Sequence, residues 1–413
     1  MGGSAEFELD IDGMGDGGSG MGRWNKRLVF VPYTIPGERV LARPVETTET
    51  HILADGVKLI DASADRVYPV CPHFGPHKCG RCHWQHMNYQ AQLLIKQDML
   101  ADALSRIGDF SDRELEAALR PTLPSPDEWY YNYHMTFNVT ADGKTGFPGA
   151  DGKSVYPISE CHILHPDLLD LYHLLDLDLT GIKRVRLQMG SDGERMIILT
   201  TTEEDAPELE TDLPASLNLI LPDNVPMNLI GDSHSRYTIK GHDFRVTAGS
   251  FIRPNIALLP ALIDAVLAGL DLRGGENVLD LYAGVGMFSR FAAERAALVT
   301  LVESYPPAVT DADTNLETFD NVDVIEGGVE SVLETLEDRY DAAILDPSAG
   351  LSRDAFDDIS AIPTLVYVSD NPTTLARDAK RLRRVGYNLV SAQPIDLSPQ
   401  TYYVDTIACF HKT

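Results

Sequence analysis

The 413-residue chain carries 62 Asp plus Glu against 34 Lys plus Arg, a formal charge of −28, with 44% hydrophobic and 23% charged residues. That length exceeds one ordinary domain and predicts two to four. With no run of ~18 apolar residues, no segment is read as a membrane helix; the five cysteines are too few for a secreted disulfide scaffold, and the acidic balance repels phosphate backbones at long range.

The opening Met-Gly-Gly-Ser-Ala-Glu-Phe-Glu has no basic segment followed by an apolar one, so no secretory signal is read and a cytoplasmic protein is expected. Residues 7–46 alternate apolar and polar positions around the Gly-rich DGMGDGGSGMG, which suits a hairpin or a flexible tip. The pattern predicts a five-stranded OB-like barrel. Arg23, Lys26, Arg27, Arg39 and Arg43 form one basic island, and Lys380, Arg381, Arg383 and Arg384 a second. Screening over about 8 Å makes local clusters outweigh the summed charge. Each island is either a phosphate contact or a solvated face.

Strand and turn continue over 47–70, and a boundary is placed near Asp65. The expected division is 1–64 as the barrel, 65–249 as a central metal-binding domain and 250–413 as a third domain. Residues 88–108 predict a helix with Ile95, Met99, Leu100, Ala103, Leu104 and Ile107 at helical spacing, capped by Asn88 and ended by Gly108. That helix is free to pack on the third domain. Residues 120–235 alternate short strands with Pro- and Gly-containing turns, a mainly β pattern.

From Ser250 strands alternate with helices: NVLDLY, a helix near 287–297, ALVTLVE, a helix near 306–318, NVDVIE, a helix near 329–337, YDAAILD, TLVYVSD, and a helix at 373–384. Final strands at 387–393 and 402–410 suggest an antiparallel hairpin. The fold class is therefore multidomain α/β, ending in a doubly wound, Rossmann-like sheet.

In VLDLYAGVGMFS an apolar strand runs into Gly284-Val285-Gly286 and then a helix, which lets backbone approach a nucleotide cofactor. Glu303, 17 residues beyond Gly286, ends the next strand and can accept hydrogen bonds from ribose hydroxyls. A dinucleotide dehydrogenase would use similar parts. Ser289 at the place of the third dinucleotide glycine, Asp280 just before the loop, and LDPSAG at 345–350 favour S-adenosylmethionine. Asp346 then faces the cleft at a strand's carboxyl end, and Asp280 orders the loop or is structural.

Cys71 and Cys79 enclose seven residues, Cys79 and Cys82 enclose two, and Cys161 is remote. Such a set suits a cubane cluster or a tetrahedral zinc. Spacing alone favours zinc, with His73, His77, His83 and His86 as further nitrogen candidates; buried unliganded thiols are the third option.

The segments VFVPYTIPGERV, CPHFGPHKCGRCHWQHMNYQAQL, SECHILHP, SFIRPN, DLYAGVGMFS, LDPSAG, VYVSDNPTTLARD and QTYYVDTIA resemble the RNA uracil-C5 methyltransferases with a TRAM domain and a [4Fe–4S] cluster. The resemblance implies that Cys71, Cys79, Cys82 and Cys161 hold that cluster rather than zinc, that S-adenosylmethionine is bound, and that RNA, rRNA or tRNA, is the partner. No DNA or membrane partner is expected, and a monomer is. In that family a cysteine thiolate adds to C6 of uracil, C5 takes the methyl group, and a carboxylate removes the C5 proton.

Here the family's Ser-Cys-Asn-Pro reads Ser369-Asp370-Asn371-Pro372, so Asp370 stands at the nucleophile's position. Cys409, beside Ile407 and Phe410, is read as packing. The family's glutamate base corresponds to Asp405, its cofactor-binding glutamine to Arg253, an asparagine after the glycines to Met287, and an acidic or amide residue after the third strand to Gly328. Tyr282, Glu303 and Asp346 still match. The resemblance therefore implies an S-adenosylmethionine-dependent RNA methyltransferase with an altered pocket, in which Asp370 could accept a hydrogen bond from an amino or imino group for direct transfer. The alternative is a catalytically inactive RNA-binding homologue that keeps cluster and cleft.

Overall fold

A computed structural model describes residues 6–15, 17–203, 212–336 and 339–412; the first five residues and the end of the 329–337 helix lie outside the described residues. The first sheet comprises β1 (Phe7–Asp10), β2 (Gly13–Met14), β3 (Gly20–Trp24), β4 (Arg27–Val31), β5 (Arg39–Thr47) and β6 (His51–Asp61), in the order β1-β5-β6-β4-β3-β2. β1 and β2 stand at opposite ends of that order yet are separated by only Ile11 and Asp12, so the sheet curls back on itself. That interruption makes six strands where five were expected. Leu9, Ile11, Val29, Val31, Val40, Ala42, Ile52 and Ala54 fill its interior, as the two-residue period of a strand requires.

α1 (Tyr89–Arg106) starts where Ala91 N–H donates to the Asn88 side chain. It ends at Arg106, two residues short of the expected 108, and Asp109 rather than Gly108 takes the positive φ of 60°. α2 (Asp112–Ala118) follows behind a Ser111–Glu114 capping box.

The second sheet contains β7 (His134–Val139), β8 (Thr145–Pro148) and β9 (Val155–Tyr156). After α3 (Pro166–Leu174) come β10 (Ile182–Met189), β11 (Arg195–Thr201), β12 (Ser216–Ile220) and β13 (Pro226–Ile230). The order is β13-β12-β11-β10-β7-β8-β9. Leu168 and Leu171 of α3 pack on Phe137 and Phe147 in its core. A separate hairpin, β14 (His234–Ile239) with β15 (His242–Thr247), leads into the third unit.

That unit runs α4 (Leu259–Leu270), β16 (Asn277–Leu281), α5 (Met287–Ala292), β17 (Leu298–Glu303), α6 (Pro306–Leu316), β18 (Val322–Glu326), α7 (Val329–Leu333), β19 (Ala342–Leu345), α8 (Arg353–Ile359), β20 (Thr364–Ser369), α9 (Pro372–Arg384), β21 (Tyr387–Ile395) and β22 (Asp405–Lys412). The sheet order is β18-β17-β16-β19-β20-β22-β21, parallel except for β22, which is antiparallel to both neighbours. Chain order reverses between β16 and β19, and a crevice opens at such a point. α5 is shorter than the sequence suggested, and α8 was not anticipated.

The core of this sheet draws on residues outside 250–413. Tyr237, Ile239, Phe244 and Val246 of the β14–β15 hairpin pack on one face with α4 and α5. Leu100, Ala103 and Leu104 of α1 and Leu115 of α2 pack on the other with α7, α8 and α9. The helix expected to be free for such packing thus lies against the third unit.

Candidate functional site

The loop after β16 is shaped by positive φ angles at Tyr282 (61°), Gly284 (56°) and Gly286 (78°). A Cβ on Gly286 would fall 2.9 Å from Leu316 Cδ1, so glycine lets α6 close against the loop. A Cβ on Gly284 would meet nothing within 4 Å, because that residue faces the open crevice. Glu303 fixes the loop from the end of β17: its carboxylate accepts from Gly284 N–H at 2.8 Å, Ser304 N–H at 2.7 Å and Tyr305 N–H at 2.8 Å. Asp280 is fully buried beneath, accepts from the Ser289 hydroxyl at 2.6 Å, and burial pushes its carboxyl up to about 7.

The crevice pocket is lined by Phe251, Arg253, Tyr282, Gly284, Met287 and Asp346, among others. Asp280, Gly286 and Glu303 are not among its lining residues; they build the loop that lines it. Gly328 precedes α7 and does not line the pocket either.

Three aspartates converge on one guanidinium at the carboxyl edge of the sheet. Arg253 donates to both oxygens of Asp346 at 2.8 and 2.9 Å, and its Nε lies 3.8 Å from Asp405. Pairing of Ser369 with Thr406 in the β20–β22 ladder sets Asp370 and Asp405 opposite each other at the ladder's end. Burial alone would lower the Arg253 pKa; Asp346, Asp405 and Asp370 outweigh it and raise it. Burial pushes the Asp405 carboxyl up to about 7 against the opposing pull of Arg253. Asp370 is exposed by accessible area yet hemmed in by pocket walls, and this partial desolvation raises its carboxyl too, again opposed by Arg253. Sequence reasoning named these residues separately; the signal that they form one cluster was the arginine itself, which at a partly buried position beside strand-end acids needs counter-charge.

A second pocket adjoins this cluster, with Gly17, Met99, Asp370, Pro372, Tyr402 and Tyr403 in its lining. The β2–β3 hairpin reaches it because Gly18 sits against Tyr402, where a Cβ would come 2.8 Å from the tyrosine's own, and Trp84 Nε1–H donates to Gly18 O at 3.0 Å. The Tyr402 ring lies 4.6 Å from that of Tyr403 and 4.5 Å from that of His83. Cys409 is four residues along β22 from Asp405, about 13 Å away, and is buried against Gly269 and Val366, which fits the packing role expected for it.

Cys71, Cys79, Cys82 and Cys161 all line one small pocket, and none forms a disulfide. Burial is the main cause raising each thiol, with Cys161 at about 11; neighbouring thiols add to it at Cys79, Cys82 and Cys161, and Glu160 at Cys71. Among the described residues no three His, Cys, Asp or Glu side chains gather tightly enough to hold a single metal ion. The zinc favoured by spacing alone therefore has no preformed site among the described residues. Nor do the histidines complete one: His73 is bonded to Ser159 at 3.0 Å, His77 faces a different pocket with Arg43 and Arg66, and His83 is half-buried and His86 buried, desolvation that pushes both imidazoles down to about 4.

Of the two basic islands, the second is paired at three of its four members, with Arg384 exposed and outside any ion pair among the described residues. Lys380 pairs with Asp109, Arg381 with Asp378 and Arg383 with Glu114. In the first, Arg39 pairs with Asp10 and Arg43 with Asp55, while Arg23, Lys26 and Arg27 stand exposed around the β3–β4 turn with no ion pair among the described residues.

Residues 234–406 match the family described as tRNA (Uracil-5-)-methyltransferase. An uncharacterised RNA methyltransferase of Streptomyces avermitilis is 32% identical over 422 residues, covering 98% of this chain and 97% of the relative. A 23S rRNA (uracil(1939)-C(5))-methyltransferase of Shewanella sediminis is 30% identical over 431 residues, 98% of this chain and 96% of the relative. The crystal structure of Pyrococcus abyssi tRNA (uracil-54, C5)-methyltransferase with S-adenosyl-L-homocysteine has the same fold, with a TM-score of 0.74 at 24% identity over 98% of this chain and 100% of that one.

Proposed function

Because the chain belongs to the RNA uracil-C5 methyltransferase family, we propose that it is an enzyme that transfers a methyl group from S-adenosylmethionine to RNA. One observation carries the reading: Arg253 and Asp346 line a glycine-floored crevice and both act electrostatically on Asp370, which lines a second pocket, so a donor site and an acceptor site lie within reach of each other. The open face of Gly284 fits an adenosyl ligand. Tyr282, Gly284 and Asp346 would hold that donor, whose sulfonium supplies an activated methyl group. Arg253 and Met287 border it, Glu303 keeps the loop in place and retains lone pairs for ribose hydroxyls, and Asp280 supports the loop from below.

Residues 1–64 are read as an OB-like, TRAM-type barrel that presents Arg23, Lys26 and Arg27 to phosphates. In 65–249, Cys71, Cys79, Cys82 and Cys161 would hold a [4Fe–4S] cluster: the four thiols share one pocket, and a multi-iron centre would relieve the cost of ionising buried sulfur. Its role in this reading is to staple the segment. The protein acts as a cytoplasmic monomer on rRNA or tRNA.

Calorimetry with S-adenosylmethionine and transfer of labelled methyl to RNA test the enzyme; protein that binds no cofactor contradicts it. A second reading, an RNA-binding homologue without turnover, is favoured by Arg253 saturating Asp346, and the same calorimetry separates the two. For the cluster, anaerobically purified protein should contain about four irons per chain, and Cys79→Ser should make residues near 65–165 protease-sensitive. Iron-free protein whose Cys79→Ser variant resists protease counts against the cluster.

A further inference from the structure

We propose that the pocket of Asp370, Met99, Tyr402 and Tyr403 takes an extruded nucleobase and offers a proton-bearing nitrogen of that base, an exocyclic amino or ring imino group, to the methyl donor. The proposal rests on the enzyme reading above and specifies its target atom.

The pocket's polar chemistry is that of an acceptor. No side chain hydrogen-bonds the Asp370 carboxylate among the described residues, although its own backbone N–H does, and Asp405 lies opposite it, about 5 Å away by strand spacing. The neighbouring polar groups are engaged. Asn371 Oδ1 accepts from Thr373 N–H at 2.9 Å and Thr374 N–H at 3.1 Å to cap α9, and the Ser369 hydroxyl donates to Asn371 O at 3.1 Å. An ionised carboxylate has only lone pairs to offer. A base edge that donates N–H is complementary to it, whereas a carbonyl edge brings like charge together.

Carbon transfer lacks its means here. A pyrimidine ring carbon becomes a competent nucleophile only after a side chain adds covalently to the ring. The lining residues include no thiol, and Cys409 lies about 13 Å along β22 from Asp405 on buried packing. A nitrogen needs no adduct, because it carries its own electron pair once its proton is shared.

The walls suit a flat ring. Tyr403 is 46% exposed and is braced by Tyr402, which is itself held by Gly18 and His83. An exposed tyrosine beside a polar pocket at a three-way junction is a stacking surface for a base taken out of its helix. Asp370 also lies within electrostatic reach of Arg253 and Asp346, and Asp346 lines the donor crevice. The step balances as follows. The nitrogen lone pair forms the new N–C bond, the sulfonium C–S bond breaks with its pair left on sulfur as neutral S-adenosylhomocysteine, and the N–H proton passes to the Asp370 carboxylate and on to water.

The test is methylation of 23S rRNA and tRNA transcripts with the full chain and methyl-labelled S-adenosylmethionine, followed by mass spectrometry of the nucleosides. Label in an N-methylated nucleoside is expected. Label in a 5-methylpyrimidine overturns the nitrogen assignment and leaves the enzyme standing; no label in any RNA, with or without cofactor binding, overturns the enzyme reading itself. Asp370→Asn should lower kcat about 10²-fold or more with cofactor Kd within twofold, the latter reporting an intact fold; full turnover in that variant removes Asp370 from the chemistry. Tyr403→Ala should raise the RNA KM about tenfold with Tyr403→Phe restoring it, and an unchanged KM excludes the stacking surface.

Discussion

Asp280 holds a carboxyl group where ionisation is costly, and its sign is opposite to that of most acids in proteins. Its folded-state value of about 7 lies above the ordinary Asp value, so the native state binds the proton more tightly than the unfolded chain does. The contribution is fully present below about pH 4, is lost as pH rises to about 7, and is flat above. Asp280→Asn keeps an oxygen for the Ser289 hydroxyl and cannot ionise. It should match the parent near pH 4 and be more stable at pH 8, by on the order of a few kcal/mol. Asp405, pushed up to about 7 as well, keeps a residual decline of the same sign in the variant. Urea midpoints at pH 5 and 8 check this, and an identical pH slope in parent and variant contradicts it.

At the scale of elements, periodicity showed that α1 exists and where it starts, but not what it binds. Its apolar stripe was legible, whereas the polar Gln92 and Lys96, both fully buried, were not part of it. Lys96 Nζ donates to Asp396 at 2.5 Å and to Ser398 O at 3.1 Å, and Gln92 Nε2 donates to the Gln400 side chain at 2.9 Å. These partners are some 300 positions away, beyond any local window, so the sequence could not assign the helix to the third unit. Lys96→Ala should cost about 3–5 kcal/mol by leaving Asp396 buried without a counter-charge, and Lys96→Met with Asp396→Leu should cost much less. Denaturation midpoints decide it, and a double variant as unstable as the single one refutes the ion-pair explanation. The same limit explains the site. Strand ends and glycines were readable because β16 and its loop are contiguous, while the Arg253–Asp346 pair joins residues 93 apart. The short α5 and the missed α8 reflect weak local signals decided by packing on the sheet.

For the whole molecule, a charge of −28 leaves few directions from which an RNA can approach. In the Lys380–Arg384 island, Lys380, Arg381 and Arg383 are paired with Asp109, Asp378 and Glu114, so its helix face offers a reduced positive field. Arg23, Lys26 and Arg27 are exposed and without ion pairs among the described residues, on a unit whose β2–β3 hairpin also reaches the Asp370 pocket. The first sheet therefore combines three unpaired cations with a wall of the Asp370 pocket. If phosphates dock there, the rest of the acidic surface orients the RNA by repelling it elsewhere. Replacing all three by Gln should weaken RNA binding at low salt and make the log Kd against log salt slope shallower by about 2, since each phosphate contact contributes roughly 0.7–0.9. Thermal stability should not change, because the three side chains are exposed and unpaired. Filter binding over a salt series measures both affinity and slope; a triple variant with the parent's slope would place the RNA on another face of the molecule.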